Sequence, residues 1–315
     1  MSEALEELET SNVPNIMDKA VLLLIKKTYI GVSKTVRPEQ IQVIKWNESQ
    51  TETDKSWMST SKTIFSSKKL WSIYNADSLM EINLVKRYCL PSPLRSAKLL
   101  PVSLVPKVDE VLENHLKNRI EMVNEFCSPD EYQSAIDRAK LKLGPLFNPD
   151  DYMPLELAKR EFRFSWQYAE LGVGNALRSL SAEVVKREEA MLRAQWVDAS
   201  NNIRTLLRVN MNDLVSHLID RLSPTTDGKR KAFKRPSIDN INDFISVFDA
   251  RNLTSDVELK AMVDKISQMT KGLDPELLRG DDNLRDIVKQ GFEEIKVELD
   301  KLVVDAPRLI SFEDE

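Results

Sequence analysis

The longest regular pattern in the chain lies between Gly174 and Pro224, because the intervening residues 175–223 contain neither glycine nor proline. The spacing of the pattern predicts one helix from about Ser179 to Leu222, roughly 65 Å long at 1.5 Å per residue. Because a small round core cannot bury so long a stripe, the helix must lie along other long helices, in this chain or in a partner. Apolar residues recur there at steps of three and four, which places them on one helical face: Leu177, Leu180, Val184, Leu192, Trp196, Ala199, Ile203, Leu206, Leu214, Leu218 and Leu222.

The other patterns predict a mostly α protein with a small β component (α+β). Strands are expected over Ala20–Ser33, Lys98–Val105 and Phe162–Val173, the last because aromatic residues occupy alternate positions. Helices are expected over Leu70–Arg87, Pro106 to Val123, Ser128–Leu143, Ile238–Ala250, Asp256–Met269 and Asn283–Val304. The cap candidates are Asn75 or Asp77, Ser128, Ser237, and Thr254 or Ser255.

These elements predict an elongated molecule in which the long helix forms a hairpin or bundle with the C-terminal helices. The expected division is an N-terminal α+β region over residues 1–174 and a helical region over residues 175–315. Four asparagines interrupt the long stripe and argue against a strict coiled coil: Asn201, Asn202, Asn210 and Asn212.

Composition and charge narrow the classes of protein to which this chain could belong. The chain has 315 residues, 42% hydrophobic and 30% charged, so it can bury a core. The net charge of -5 gives no general attraction to nucleic acid or membrane. Two cysteines do not make a disulfide framework, and the acidic stretch Met1–Glu9 does not have the basic start of a signal peptide. The scarcity of cysteine predicts a cytoplasmic protein. The longest apolar run, Ala20–Ile25, is far too short to span a bilayer, so no membrane contact is expected.

The sequence carries few signs of catalytic chemistry. The sequence contains no GxGxxG, GxxxxGK[ST], GxSxG or HExxH motif. His115 and His217 are far apart and are expected on helix surfaces or edges. The adjacent carboxylates Asp150–Asp151 and Asp281–Asp282 fall where turns and caps are expected. The sequence therefore predicts no catalytic residue, no cofactor and no metal site, and the protein is not expected to be an enzyme.

The strongest polar cluster places five positive charges within the seven residues 229–235, around one aromatic side chain. It predicts either contact with phosphate or an acidic partner, or a solvated loop whose phenylalanine packs down and whose charges offset nearby carboxylates. The aromatic strand near Arg163 similarly predicts either a base-stacking platform or simple core. The interaction candidates are this cluster and one residue of the long stripe: Lys229, Arg230, Lys231, Phe233, Lys234, Arg235 and Trp196.

The order of several short motifs carries a family resemblance. They are Val36-Arg37-Pro38-Glu39, Lys68-Lys69-Leu70, Tyr152-Met153-Pro154, Arg163-Phe164-Ser165-Trp166, the loop Gly228–Ser237, Phe244-Ile245-Ser246-Val247-Phe248, Arg251-Asn252-Leu253 and Asp256. In this order the chain resembles, over roughly Ala20 to Val303, a family of uncharacterised phage, plasmid and bacterial proteins with a domain of unknown function. The genes of that family often lie beside a MoxR-type AAA+ ATPase and a von Willebrand factor A protein like the cobaltochelatase subunit.

The resemblance implies a setting and no catalytic residues. The chain has neither a nucleotide-binding loop nor a DxSxS adhesion motif, so it would be a third, non-catalytic member of such a system. The leading hypothesis is a scaffold or adaptor that acts with the ATPase and the von Willebrand factor A protein through the long helix and the basic loop. The alternative is a phage-type nucleic-acid-binding protein using residues 229–235. An enzyme with an unrecognised site comes third, and self-association stays open.

Overall fold

The computed structural model of the protein describes residues 16–36, 60–172, 181–225, 231, 233 and 235–304. The described elements are mostly helical with a small β component, which confirms the predicted fold class. The strands are β1 (Ala20–Lys27), β2 (Ser33–Thr35), β3 (Ser61–Thr63), β4 (Lys98–Pro101) and β5 (Phe164–Ala169). The helices are α1 (Lys68–Tyr88), α2 (Val105–Phe126), α3 (Pro129–Leu143), α4 (Leu155–Glu161), α5 (Ala182–Leu222), α6 (Pro236–Arg251), α7 (Val257–Thr270), α8 (Pro275–Gly280) and α9 (Asp282–Val304).

The long helix is confirmed as α5, a single helix of 41 residues. It begins after Ser181, whose hydroxyl accepts a hydrogen bond from the Val184 N–H, and it ends before Ser223 and Pro224. Helices α6 and α9 pack against α5, and α9 in turn packs against α7 and α8. The predicted bundle with the C-terminal helices is therefore formed within one chain, since these helices cover the apolar stripe of α5 from Trp196 onward.

The strands form two small antiparallel sheets. One has the order β4-β1-β5, with Ala20 opposite Pro101 and Leu23 opposite Lys98, and the other pairs β2 with β3. The predicted strands were too long. The second ends at Pro101 because residues 102–104 form a 3-10 turn that leads directly into α2. The predicted alternation is confirmed in β5, where aromatic residues are half-buried and the residues between them are exposed.

The chain forms two compact units that alternate along the sequence. The bundle unit comprises Met1–Leu24, Leu84–Val108 and Tyr168–Glu315, and the second unit comprises Ile25–Asn83 and Asp109–Gln167. The predicted division at residue 174 lies outside the described residues and stays a prediction.

Of the predicted helix caps, Ser128 was confirmed in position, whereas Ser237 and the pair Thr254 or Ser255 were wrong. Ser128 occupies the N-cap position of α3, but its hydroxyl donates to the Glu125 carbonyl instead of accepting from the helix. Ser237 lies inside the first turn of α6, which begins one residue earlier. Helix α7 is capped by Asp256, whose Oδ1 accepts from the Leu259 N–H at 3.0 Å. The residue before it, Ser255, has a φ of 53°, so the chain is still turning there.

Both cysteines lie in the interior of the protein. Cys89 and Cys127 are both buried, and burial raises the pKa of the Cys127 thiol to about 11. None of the helices in the described part of the chain is both long and apolar enough to cross a membrane.

Candidate interaction site

The first third of α5 differs from the remainder of that helix in the burial of its side chains. Its buried residues begin at Trp196, and none of the side chains from Ala182 to Gln195 is buried. Leu192 lies four residues before Trp196 and Val184 lies eight residues before Leu192, so the apolar stripe continues onto this stretch in half-exposed form. Met191 is 53% exposed. The long helix thus carries an apolar face that the described part of the chain leaves partly uncovered.

A cleft of about 540 Å³ lies in the bundle unit where this exposed stretch ends. Antiparallel pairing brings the start of β1 and the end of β4 to the same end of the sheet, since Ala20 lies opposite Pro101. The residues that follow β5 and one residue of α5 complete the lining. The lining residues are Met17, Asp18, Ala20, Val21, Leu22, Leu99, Val102, Glu170, Leu171, Gly172 and Trp196.

Trp196 is the buried polar group of this cleft. Its side chain is 2% exposed, and Nε1 has no hydrogen-bond partner among the described residues. Trp166 in the second unit shows the usual arrangement, because its Nε1 donates to Asp109 Oδ1 at 2.7 Å. An unpaired buried donor costs about 1–3 kcal/mol. The indole nitrogen of Trp196 is itself buried, so its unpaired N–H is a local packing cost inside the bundle unit.

The charged groups among the described lining residues have the same sign. Asp18 and Glu170 are exposed at the rim, and no basic side chain is among the lining residues that the structure describes. Neither carboxylate forms an ion pair with a residue that the structure describes. The floor is apolar, since Leu22 and Leu99 are 3% and 0% exposed. The cleft therefore combines an apolar floor, one buried donor and a negative rim.

The described part of the predicted basic loop is held against the helical bundle. Lys231 Nζ lies 2.5 Å from Asp220 Oδ1, and this hydrogen bond holds the pKa of Asp220 below its usual value. Phe233 is 1% exposed, and its carbonyl accepts from Arg279 Nε at 2.8 Å. Arg235 points to solvent, with its side chain 82% exposed. Thus Phe233 packs down and Lys231 offsets a carboxylate, as the solvated-loop interpretation requires. Three members of the loop lie outside the described residues: Lys229, Arg230 and Lys234.

The second unit contains a buried charge network that the sequence patterns did not predict. Asp77 is 0% exposed in the interior of α1, so the prediction that it caps this helix was wrong. Arg119 Nε lies 3.1 and 3.0 Å from the two Asp77 oxygens, His115 Nε2 lies 2.7 Å from Oδ1, and the Tyr29 hydroxyl donates to Oδ2 at 2.6 Å. His115 was expected on a helix surface or edge, but its side chain is only 10% exposed because it faces this carboxylate.

The network is saturated with hydrogen bonds. Arg119 also donates to the carbonyls of Phe162 and Thr28, at 3.0 and 3.2 Å. Burial opposes ionisation of Asp77, but the hydrogen bonds from His115, Tyr29 and Arg119 outweigh it and lower the pKa of Asp77. Burial, followed by the contact with Asp77, raises the pKa of Tyr29. Since each carboxylate oxygen already faces donors from several elements, the arrangement fixes the packing of α1 and α2.

One sequence signal could have located this network. Asp77 lies on the same helical face as the buried Leu70, Ile73 and Leu84, and Arg119 lies among the buried positions of α2. Opposite charges at core-facing positions of two neighbouring helices predict a buried ion pair, because an unpaired buried charge is very costly.

We expect the pH dependence of stability to reveal Asp77. Because its pKa in the folded protein is lowered, its carboxylate contributes stability above about pH 4, and this contribution is lost as the pH falls through the folded pKa. The change Asp77→Asn should therefore reduce the slope of unfolding free energy against pH below about pH 4. Urea unfolding at a series of pH values measures the slope. The exposed Asp137→Asn serves as control, and equal slopes for all three proteins would contradict the prediction.

The remaining polar candidates behave as turn and cap residues. Asp151 Oδ2 lies 2.7 Å from Lys62 Nζ, and Asp150 N donates to Asn148 Oδ1 within a turn. Asp281 Oδ1 accepts from the Leu284 N–H and so caps α9. His217 is exposed on α5. Across the described ranges, no three His, Cys, Asp or Glu side chains converge as metal ligands would.

Comparison with known protein-family models, with curated proteins and with solved structures finds no match for this chain. The family resemblance carried by the motif order therefore stays a prediction.

Proposed function

We propose that the protein is a non-enzymatic adaptor that binds a partner protein through the first third of α5 and the adjoining cleft at Trp196. The observation that supports this is the change in burial along one continuous helix. From Trp196 onward α5 is buried against α6 and α9, whereas Met191 and its neighbours are not covered by the described part of the chain. A helix held along most of its length presents its remaining face already ordered, which lowers the entropic cost of binding.

The partner in this proposal is a MoxR-type AAA+ ATPase, alone or with a von Willebrand factor A protein. The motif order of the chain supports this choice, since it resembles a family encoded beside those two proteins. The chain itself carries neither a nucleotide-binding loop nor a DxSxS motif. In such an assembly the ATPase would supply the work and this protein would supply a rigid contact surface.

Affinity capture from the native host tests the proposal. The tagged full-length protein, treated with nuclease, should recover the ATPase in amounts identifiable by mass spectrometry. Met191→Glu places a charge on the exposed apolar face of α5 and should lower recovery about tenfold or more, since each 1.4 kcal/mol of lost affinity is a factor of ten. The matched control is Val297→Glu on α9, which is similarly exposed at 58% and should leave recovery unchanged.

Two outcomes would contradict the proposal, one for the contact surface and the other for the adaptor function. If the ATPase is recovered equally well with Met191→Glu, the first third of α5 is not the contact surface. If no ATPase is recovered with the unmodified protein, the adaptor function itself fails.

The second candidate is nucleic-acid binding by the loop 229–235. One observation favours it: Arg235 is almost fully exposed at the start of α6. This function predicts nucleic acid in the capture experiment, partners that are lost on nuclease treatment, and affinity that falls steeply with salt. Changing all five basic residues of the loop to glutamine should then abolish binding.

A further inference from the structure

We infer that residues 305–315, which follow α9 in the sequence, bind along the first third of α5 and compete there with the partner protein. The contact within the chain is independent of the adaptor function, whereas the competition rests on that proposed function. Three observations support it: the direction in which α9 runs, the distance that these residues can span, and the apolar side chains among them.

Helix α9 runs antiparallel to α5 and is directed toward the uncovered stretch. Near the start of α9, Arg285 Nε donates to the Leu222 carbonyl at the end of α5. Near the end of α9, the Leu302 carbonyl accepts from Arg208 in the middle of α5. Because α9 ends at Val304, a chain that continues in the same direction follows α5 toward its first third.

The uncovered apolar residues lie on the side of α5 that faces α9. Asn212 marks this side, since its Nδ2 donates to Asp300 Oδ1 on α9 at 3.1 Å. Met191 and Val184 precede Asn212 by three and four seven-residue repeats, the spacing at which packed helices keep facing one another. The face that α9 covers therefore continues beyond the end of α9, where Met191 is 53% exposed.

Residues 305–315 are long enough to reach Met191. The contacts of α9 with Arg208 and Asn212 place the end of α9 beside the middle of α5. The distance from there to Met191 is roughly 24 Å at a rise of 1.5 Å per residue. Phe312 comes eight residues after Val304 and lies up to roughly 26–29 Å from it when the chain is extended. An extended segment can therefore place Phe312 beside Met191.

The sequence after α9 has the composition that this contact requires. Pro307 interrupts a helical pattern and disfavours the helical conformation of the residue before it, so it favours an extended chain. Leu309, Ile310 and Phe312 supply apolar side chains, and residues 313–315 are acidic. Burial of these apolar side chains on the exposed face of α5 removes both surfaces from water.

Charge and tethering both permit the contact. Three acidic and three basic residues balance between Ala182 and Gln195, so the acidic residues 313–315 meet no net charge of like sign. Because the segment is joined to α9, its effective concentration at α5 is on the order of millimolar. A modest apolar contact is therefore enough to cover the face for part of the time and to compete with a partner.

Disulfide trapping in the full-length protein tests the contact. Met191→Cys and Phe312→Cys are introduced together, and the dilute protein is oxidised with copper–phenanthroline. We expect a disulfide within monomeric protein, identified by mass spectrometry, to form about tenfold faster than in a control that carries Val297→Cys in place of Met191→Cys. Val297 is similarly exposed, at 58%, and is closer to Phe312 along the chain, so an unbound segment would react with it at least as readily. The native Cys89 and Cys127 are buried.

Three results would overturn the inference. Equal rates of cross-linking in the two variants would show that the segment has no preference for α5. A disulfide-linked dimer as the main product would assign the face to a second copy of the chain. Faster cross-linking of Met191→Cys with Leu5→Cys than with Phe312→Cys would assign it to the residues that precede Ile16.

Affinity capture measures the competition. Ile310→Ser/Phe312→Ser removes two apolar side chains of the segment and should raise recovery of the ATPase about threefold or more, because a site that is partly covered has a reduced apparent affinity. The matched control Ser311→Ala keeps these apolar side chains and should leave recovery unchanged. Unchanged or lower recovery with the double variant would overturn the competition. If neither the unmodified protein nor the double variant recovers the ATPase, the proposed function fails and the competition fails with it, whereas disulfide trapping still decides the contact within the chain.

Discussion

Replacing Arg119 with methionine is expected to destabilise the protein by about 3–5 kcal/mol, the usual cost of removing one partner from a buried ion pair. Arg119 is 2% exposed and supplies the formal positive charge that faces the buried carboxylate of Asp77. Without it, the Asp77 carboxylate keeps the hydrogen bonds from His115 and Tyr29 but loses its counter-charge. The carbonyls of Phe162 and Thr28 also lose their donor.

Urea unfolding followed by circular dichroism measures this effect. Arg163→Met is the matched control, because Arg163 has a side chain that is 72% exposed and should change stability by less than about 0.5 kcal/mol. The double variant Arg119→Met/Asp77→Asn separates the interaction between Arg119 and Asp77 from the other contacts that each side chain makes. It should be destabilised by less than the sum of the two single changes, since removing both charges leaves neither buried alone. Strictly additive effects would show that Arg119 and Asp77 do not act as a pair.

Arg208→Met is expected to cost a similar amount, about 3–5 kcal/mol, in the bundle unit. Arg208 lies on α5 and binds Asp256 with two parallel hydrogen bonds, Nε to Oδ2 at 2.6 Å and Nη2 to Oδ1 at 3.1 Å. Its Nη1 donates to the Leu302 carbonyl near the end of α9. Burial opposes the guanidinium charge, but Asp256 and Glu258 outweigh it and raise the pKa of Arg208.

The loss of stability would extend beyond the ion pair, because Asp256 takes part in two interactions. Its Oδ1 both pairs with Arg208 and caps α7 through the Leu259 N–H. We therefore expect Arg208→Met to increase hydrogen exchange at the start of α7 and at the end of α9, as well as lowering the urea midpoint. The free energy of unfolding of Arg208→Lys should lie between those of Arg208→Met and the unmodified protein, since an ammonium cannot reproduce the two parallel hydrogen bonds. Arg193→Met, on the exposed first third of α5, is the control and should be nearly neutral.

The sequence by itself determined the helical architecture. The absence of glycine and proline and the regular apolar spacing located α5 because helix formation depends on residues three and four apart. The same local rule placed α1, α3, α6, α7 and α9 within a few residues of their observed ends. Alternation located β5 for the equivalent reason, since successive side chains of a strand face opposite sides.

Only the tertiary structure decided which charged residues are buried. Leu116 and Ile120 lie four residues apart in α2, the spacing of one helical face, yet Ile120 is 51% exposed and the neighbouring Arg119 is buried. Periodicity defines a face but cannot reveal that a facing helix carries Asp77, because that contact joins residues far apart in sequence.

The cleft at Trp196 depends on long-range contacts to an even greater degree. Its lining comes from residues near the start of β1, the ends of β4 and β5, and the middle of the chain. Antiparallel strand pairing and packing against α5 bring these segments together, and neither leaves a periodic signal in the sequence. Trp196 was therefore identifiable as part of an apolar stripe, whereas its unpaired N–H and the carboxylates beside it became visible only in the folded chain.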